Sequence, residues 1–167
     1  MRRLAMACAV GAILLRASLA SAHGPEMMLG STASGSGALA LAYDFTDEVV
    51  TTPSVSLGGM TLYTSIFPGI EWLQADDPAD SLYALPVGTP FSLQLVSIDA
   101  GASVVINNKT TLSAPGQSAL VATTTNIAGD HDHPQWQLLL PDGVQGNYSV
   151  SFQLTTTAKH FTSSVKS

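Results

Sequence analysis

Short apolar runs alternate with small polar residues along most of the chain, and turn-forming residues interrupt them about every eight to twelve positions. In ALALAYDF, Leu39, Leu41, Tyr43 and Phe45 fall on one side of an extended chain, with the alanines and Asp44 on the other. That period of two is what burying one face of a strand demands. The same pattern makes strands of SVSL and MTLYTSI on either side of Gly58-Gly59, and of FSLQLVSI, ASVVIN, TTL, ALVATT, WQLLL and YSVSFQLTT. Asn107-Asn108 suits a tight turn, because asparagine tolerates left-handed backbone angles. PGQS and PDGVQGN supply further turns, and no stretch keeps a helical period through three turns. The expected fold is therefore all-β: an antiparallel β-sandwich, Ig-like or related, of about eight to ten short strands. A barrel is the second choice.

Three segments carry more particular expectations. WQLLL places Trp136, Leu138 and Leu140 on one face, Gly143 and Gly146 permit a return turn, and Tyr148, Val150, Phe152 and Leu154 alternate along the next strand. This reads as a core hairpin. LQADDPADSLYALPVG lacks β character and reads as a long acidic surface loop. GSTASGSG reads as part of a flexible lead-in (residues 23–37) or as a loop between the first two strands, and HFTSSVKS has room only for a short closing strand.

The N-terminus changes the picture of the whole. Arg2 and Arg3 precede an apolar run, LAMACAVGAILL, and ASLASA ends in small residues. This is the layout of a signal peptide over residues 1–22, cut after Ala22. It leaves one domain, 23–167, beginning at His23 and exported to the periplasm or the cell exterior. The run is short for a membrane span and is followed by Arg16, so the mature form is expected to have none; an uncleaved anchor is the alternative. Arg2, Arg3 and Arg16 go with the leader, which leaves Lys109, Lys159 and Lys166 against twelve acidic residues. A chain that acidic is a poor partner for nucleic acid. The single cysteine, Cys8, also lies in the leader. Disulfides, thiolate-ligated metal and a cysteine nucleophile are thereby excluded from the mature form.

The strongest chemical signal is GDHDHPQW, with His131 and His133 two residues apart at the start of a strand. In an extended chain the two point the same way, with Cα atoms about 6.5 Å apart. Two imidazoles so placed can share an ion, and imidazole suits zinc, copper or nickel. Asp130 and Asp132 face the other way, as outer partners of the ligands or as solvated acids. Two histidines do not complete a site, so further ligands must come from elsewhere. The remaining histidines are His23 and His160. Cleavage after Ala22 would give His23 a free amine that chelates together with its own imidazole. That arrangement resembles the histidine brace of lytic polysaccharide monooxygenases and of periplasmic copper-binding proteins. His160, beside Lys159 and Phe161, lies beyond a strand end.

Other chemistry finds little support. G-x-S-x-G, H-E-x-x-H and phosphate-binding glycine loops are absent. The acidic groups Asp76-Asp77-Asp80 and Asp47-Glu48 lack a calcium-loop spacing and read as solvated. Trp72, Trp136 and Tyr148 would make either a sugar platform or core.

HDHPQWQLLLPDGVQGNYSVSFQL resembles the H-x-H-x-x-W…G…Y motif of actinobacterial surface-anchored repeat domains of the choice-of-anchor M type. It is also similar to a looser group of exported bacterial proteins, some linked to zinc-responsive regulation. The matching residues are His131, His133, Trp136, Gly143 or Gly146, Tyr148 and Phe152. The resemblance implies a secreted β-sandwich with a metal-linked role, partnered by a metal ion and by a metal-uptake system or cell-surface component. The expected function is non-catalytic binding of zinc or copper at His131 and His133, with His23 or His160. The alternatives are an adhesive or structural surface domain without metal, and a copper monooxygenase with an N-terminal histidine brace.

Overall fold

The computed structural model describes residues 11–17, 26–46 and 48–163. The expected cleavage point at Ala22, together with His23 and Asp47, lies outside them. All regular elements among the described residues are strands: β1 (Gly11–Ala17), β2 (Met27–Ala33), β3 (Ser36–Ala42), β4 (Glu48–Leu57), β5 (Met60–Ser65), β6 (Ile70–Trp72), β7 (Pro90–Ile98), β8 (Ala102–Ile106), β9 (Thr110–Leu112), β10 (Ser118–Thr123), β11 (His131–Asp132), β12 (Gln135–Pro141), β13 (Asn147–Thr155) and β14 (Phe161–Thr162). These exceed the expected eight to ten because β1 and β2 fall in segments read as leader and as lead-in or loop, while β6 and β11 have three residues or fewer, too short to show a period in the sequence.

The strands form two sheets, in the orders β10-β7-β13-β1-β4-β5-β12-β8-β9 and β11-β6-β2-β3-β14. The larger sheet doubles over on itself. Trp136 on β12 and Phe152 on β13 have three strands between them in the sheet, yet their ring centroids are 5.8 Å apart. At the far ends, the Asn107 side-chain amide after β8 donates to the Leu120 and Val121 carbonyls of β10. The smaller sheet adds Met27, Leu29, Leu39 and Ile70 to the same core, all fully buried. An edge contact between Trp72 of β6 and Phe91 of β7, 5.8 Å between ring centres, ties the two sheets together. The all-β sandwich reading holds.

Local turn chemistry also behaves as its residues require. Gly58 and Gly59, both at positive φ, close the β4–β5 hairpin, and Asn107 and Asn108, at φ 54° and 53°, turn β8 into β9. GSTASGSG is neither lead-in nor loop: its residues belong to β2, a Ser34-Gly35 turn and β3. Small side chains are needed there because the acidic loop folds back over them. A Cβ on Gly30 would stand 2.7 Å from Leu82 Cγ, and Ser31 exchanges backbone hydrogen bonds with Tyr83. The loop's acids serve its own backbone: Asp77 accepts from Ala79 N–H, and Asp76 from Ala84 N–H.

The expected β12–β13 hairpin does not form. β12 pairs with β5 and β8, while β13 pairs with β7 and β1. Each strand alternates because each buries one face, as Trp136, Leu138 and Leu140 on one and Val150, Phe152 and Leu154 on the other do. The turn between them carries the chain across the core to the facing layer instead of back along the same one.

β1, the apolar segment of the expected leader, is inserted between β13 and β4. It runs antiparallel to the first, from Gly11 opposite Phe152 to Arg16 opposite Asn147, and parallel to the second. Without it, the facing edges of β4 and β13 have no partner, and unpaired edges invite association with other strands. A chain beginning at His23 is expected to melt at a lower temperature than the full chain and to self-associate. Thermal unfolding and sedimentation velocity read both. A truncated chain that is equally stable and monomeric would show that the sandwich does not draw on β1.

Candidate metal centre

The histidines lie at a corner where two neighbouring segments leave one sheet and enter the other. β5 passes into β6 on one side, and β11 into β12 on the other. The pairing runs from Trp136 opposite Ser65 in the larger sheet to Asp132 opposite Ile70 in the smaller. Residues 66–69 on one segment face only 133–135 on the other. An unequal count of this kind bends a strand pair, as bulged sheet corners do. Pro68 and Pro134 can donate nothing there. Side chains supply what the ladder lacks: His133 Nδ1 bonds the Ile66 carbonyl at 2.8 Å, and Trp136 Nε1 donates to the Pro68 carbonyl at 3.0 Å. Ser65 Oγ accepts from Phe67 N–H and donates to the Phe67 carbonyl. The Phe67 ring meets His133 edge-on, with 5.2 Å between centroids.

His131 and His133 stand together as the extended spacing demands, with ring centroids 4.7 Å apart and planes at 87°. His131 is exposed and His133 half-buried. His131 Nδ1 bonds the Gly129 carbonyl at 2.6 Å. A carbonyl oxygen only accepts, so in both rings Nδ1 carries the proton and Nε2 of the neutral imidazole keeps its lone pair. Carbonyls holding the inner nitrogen are the usual supports of metal-ligating histidines. The separation also fits. With a zinc–nitrogen bond of about 2.0–2.1 Å, each ring centre lies about 3.2 Å from the ion. Two such rings then stand about 4.5–5.2 Å apart for bond angles between a right angle and the tetrahedral value.

Asp130 and Asp132 do not orient the imidazoles. Asp130 accepts from the Thr125 hydroxyl and so braces the preceding loop. Asp132 accepts from the backbone N–H of His133 at 2.8 Å. Burial raises the Asp132 carboxyl above its ordinary value, against the lowering effect of that hydrogen bond and of the nearby imidazoles.

His160 is not brought to the pair. It precedes β14, and β11 and β14 are the opposite edges of the smaller sheet, about 19 Å apart over four strand spacings. Trp72 and Trp136 are core residues and Tyr148 packs against the core, so no sugar platform is formed by them. Among the described residues, no three His, Cys, Asp or Glu stand ready-made around one ion.

The structure adds a residue that sequence reasoning passed over. Glu26, just before β2, lies across Gly69 from His133. A Cβ built on Gly69 would run into both Glu26 Oε2 and His133 Nδ1. The same Oε2 is buried and has no hydrogen-bond partner among the described residues. Nothing near Glu26 in the chain marks it, since the association is made by strand register alone. Gly69 had a visible signal, the Pro-Gly pair after an aromatic residue, but that pair reads only as a turn.

The corner depends on Trp136 keeping its donor. Trp136→Phe leaves the buried Pro68 carbonyl unpaired and is expected to cost about 1–3 kcal/mol beyond the lost ring volume. Urea unfolding compared with Trp136→Tyr and the parent measures it; an unchanged midpoint for Trp136→Phe would contradict the assigned role.

Compared with models of protein families, with curated proteins and with solved structures, the chain has no match, so function rests on the residues of the corner themselves.

Proposed function

We propose that the protein is an exported, non-catalytic β-sandwich that binds a transition-metal ion, zinc or copper, at His131 and His133. One observation carries the reading: two imidazoles 4.7 Å apart, each with Nδ1 engaged by a backbone carbonyl and Nε2 unspent. The layout of residues 1–22 supports export, and the resemblance of the H-x-H-x-x-W segment to exported, zinc-linked proteins agrees with it. His23 remains in the proposal as a ligand that cleavage after Ala22 would create, a cut that also takes β1 from between β13 and β4. A metal-uptake system or cell-surface component is the partner that such a protein would serve.

A second reading is favoured by the His133–Ile66 hydrogen bond. In it the H-x-H segment is a folding feature of a structural or adhesive surface domain. The two histidines separate the readings because only the His133 side chain bonds across the corner, to the Ile66 carbonyl. His133→Ala is expected to cost about 0.5–1.5 kcal/mol of stability, while exposed His131→Ala changes it by no more than about 0.5 kcal/mol. Under the metal reading both substitutions abolish uptake of one zinc or copper ion in calorimetric titration, and His160→Ala leaves it intact. Equal uptake by all three variants and the parent would leave the structural reading standing.

A further inference from the structure

Glu26 is the feature that neither the sandwich nor the histidine pair explains. The registers place it: Met27 and Asp132 both lie opposite Ile70, from the two sides of β6. One residue earlier along β6 is Gly69, and the same step brings Glu26 from one side and His133 from the other. Because Gly69 has no side chain, the two meet above it. Both Glu26 Oε2 and His133 Nδ1 lie within 3 Å of the point where a Cβ would sit. The Gly69 backbone does not occupy the left-handed region. What calls for glycine here is therefore the space and not the conformation.

A buried carboxylate oxygen without a donor is costly, and native proteins seldom leave one uncompensated. His133 cannot supply the donor, since its Nδ1 proton is engaged by the Ile66 carbonyl and its Nε2 has none in the neutral form. A cation at the His131–His133 pair compensates it. The carboxylate stops short of a finished three-ligand arrangement, and a change of rotamer of the Glu26 side chain would bring it to the ion.

We infer that Glu26 is the third, anionic ligand of the His131–His133 site, and that the site therefore takes a divalent cation, zinc(II) in preference to copper(I). This rests on the metal-binding reading of the histidine pair. Two neutral imidazoles would accept either ion. A carboxylate adds a hard oxygen and a negative charge, which favour the divalent, borderline ion over the soft, monovalent one.

The test is competitive titration of the purified chain with zinc(II) and, anaerobically, with copper(I), using the parent, Glu26→Gln, Gly69→Ala, His131→Ala and His133→Ala. Glu26→Gln keeps the side chain's shape and is expected to weaken zinc(II) binding by about tenfold or more, with a smaller change for copper(I). Gly69→Ala forces the two side chains apart and is expected to reproduce the zinc(II) defect with Glu26 still present. The cobalt(II)-substituted protein provides a readout that a purely structural role would not move: its visible bands shift when Glu26 is replaced. If Glu26→Gln binds zinc(II) like the parent with unchanged cobalt bands, while both histidine variants fail to bind, the third-ligand inference is overturned and the metal reading survives. A parent that binds neither ion overturns both. Should Gly69→Ala not fold, Glu26→Gln and the cobalt spectra decide the matter.

Discussion

Where two paired segments change sheets together, their backbone carbonyls still need donors. This molecule meets that need with side chains. At the β5–β6 and β11–β12 crossing the ladder stops, two prolines contribute no N–H, and the unequal segments cannot realign. Trp136 and His133 reach across to the Pro68 and Ile66 carbonyls. The Trp136 ring is fully buried and meets Phe152 in the core. The indole thus joins the facing layers of the larger sheet to the corner that launches the smaller one. Everything at the candidate centre hangs from that corner.

The same solution creates chemical potential at the surface. A histidine that spends Nδ1 on a carbonyl has a defined tautomer and an unspent Nε2, so the fold's demand for a donor orients the imidazole at no further conformational cost. His131, two residues away on the same side of the strand, adopts the same state through Gly129. Gly69 then admits Glu26 beside the pair. The carboxylate arrives from β2, which precedes the histidines by a hundred residues in the chain but is separated from β11 only by β6. A corner lined in this way differs from a histidine-bearing loop, because the His133 ring cannot turn away without giving up its bond to the Ile66 carbonyl.

Much of this was legible in the chain itself. Period-two alternation gave most of the long strands and their buried faces, including Trp136, Leu138 and Leu140, because burial of one face is a local property of a strand; it did not give β1 or β2, whose segments read as leader and as lead-in or loop. Gly58-Gly59 and Asn107-Asn108 announced their turns for a similar reason: left-handed angles depend on residue type. The spacing of His131 and His133 already implied that their rings would share a side. Alternation failed where partners had to be chosen. WQLLL and YSVSFQL look like a hairpin because a strand facing across the core carries the same pattern as one lying alongside. GSTASGSG looked flexible because nothing in it shows that Leu82 and Tyr83 will cover it.

The sequence by itself thus determined the class of fold, the buried faces, the main turns and the histidine pair, since each comes from the stereochemistry of residues close together in the chain. Only the tertiary structure decided that β12 and β13 belong to facing layers, that His160 stands at the far edge from the pair, and that Glu26 joins His133 over Gly69. These depend on strand order and register, which are settled by packing among distant segments. No local pattern records which buried face will meet which.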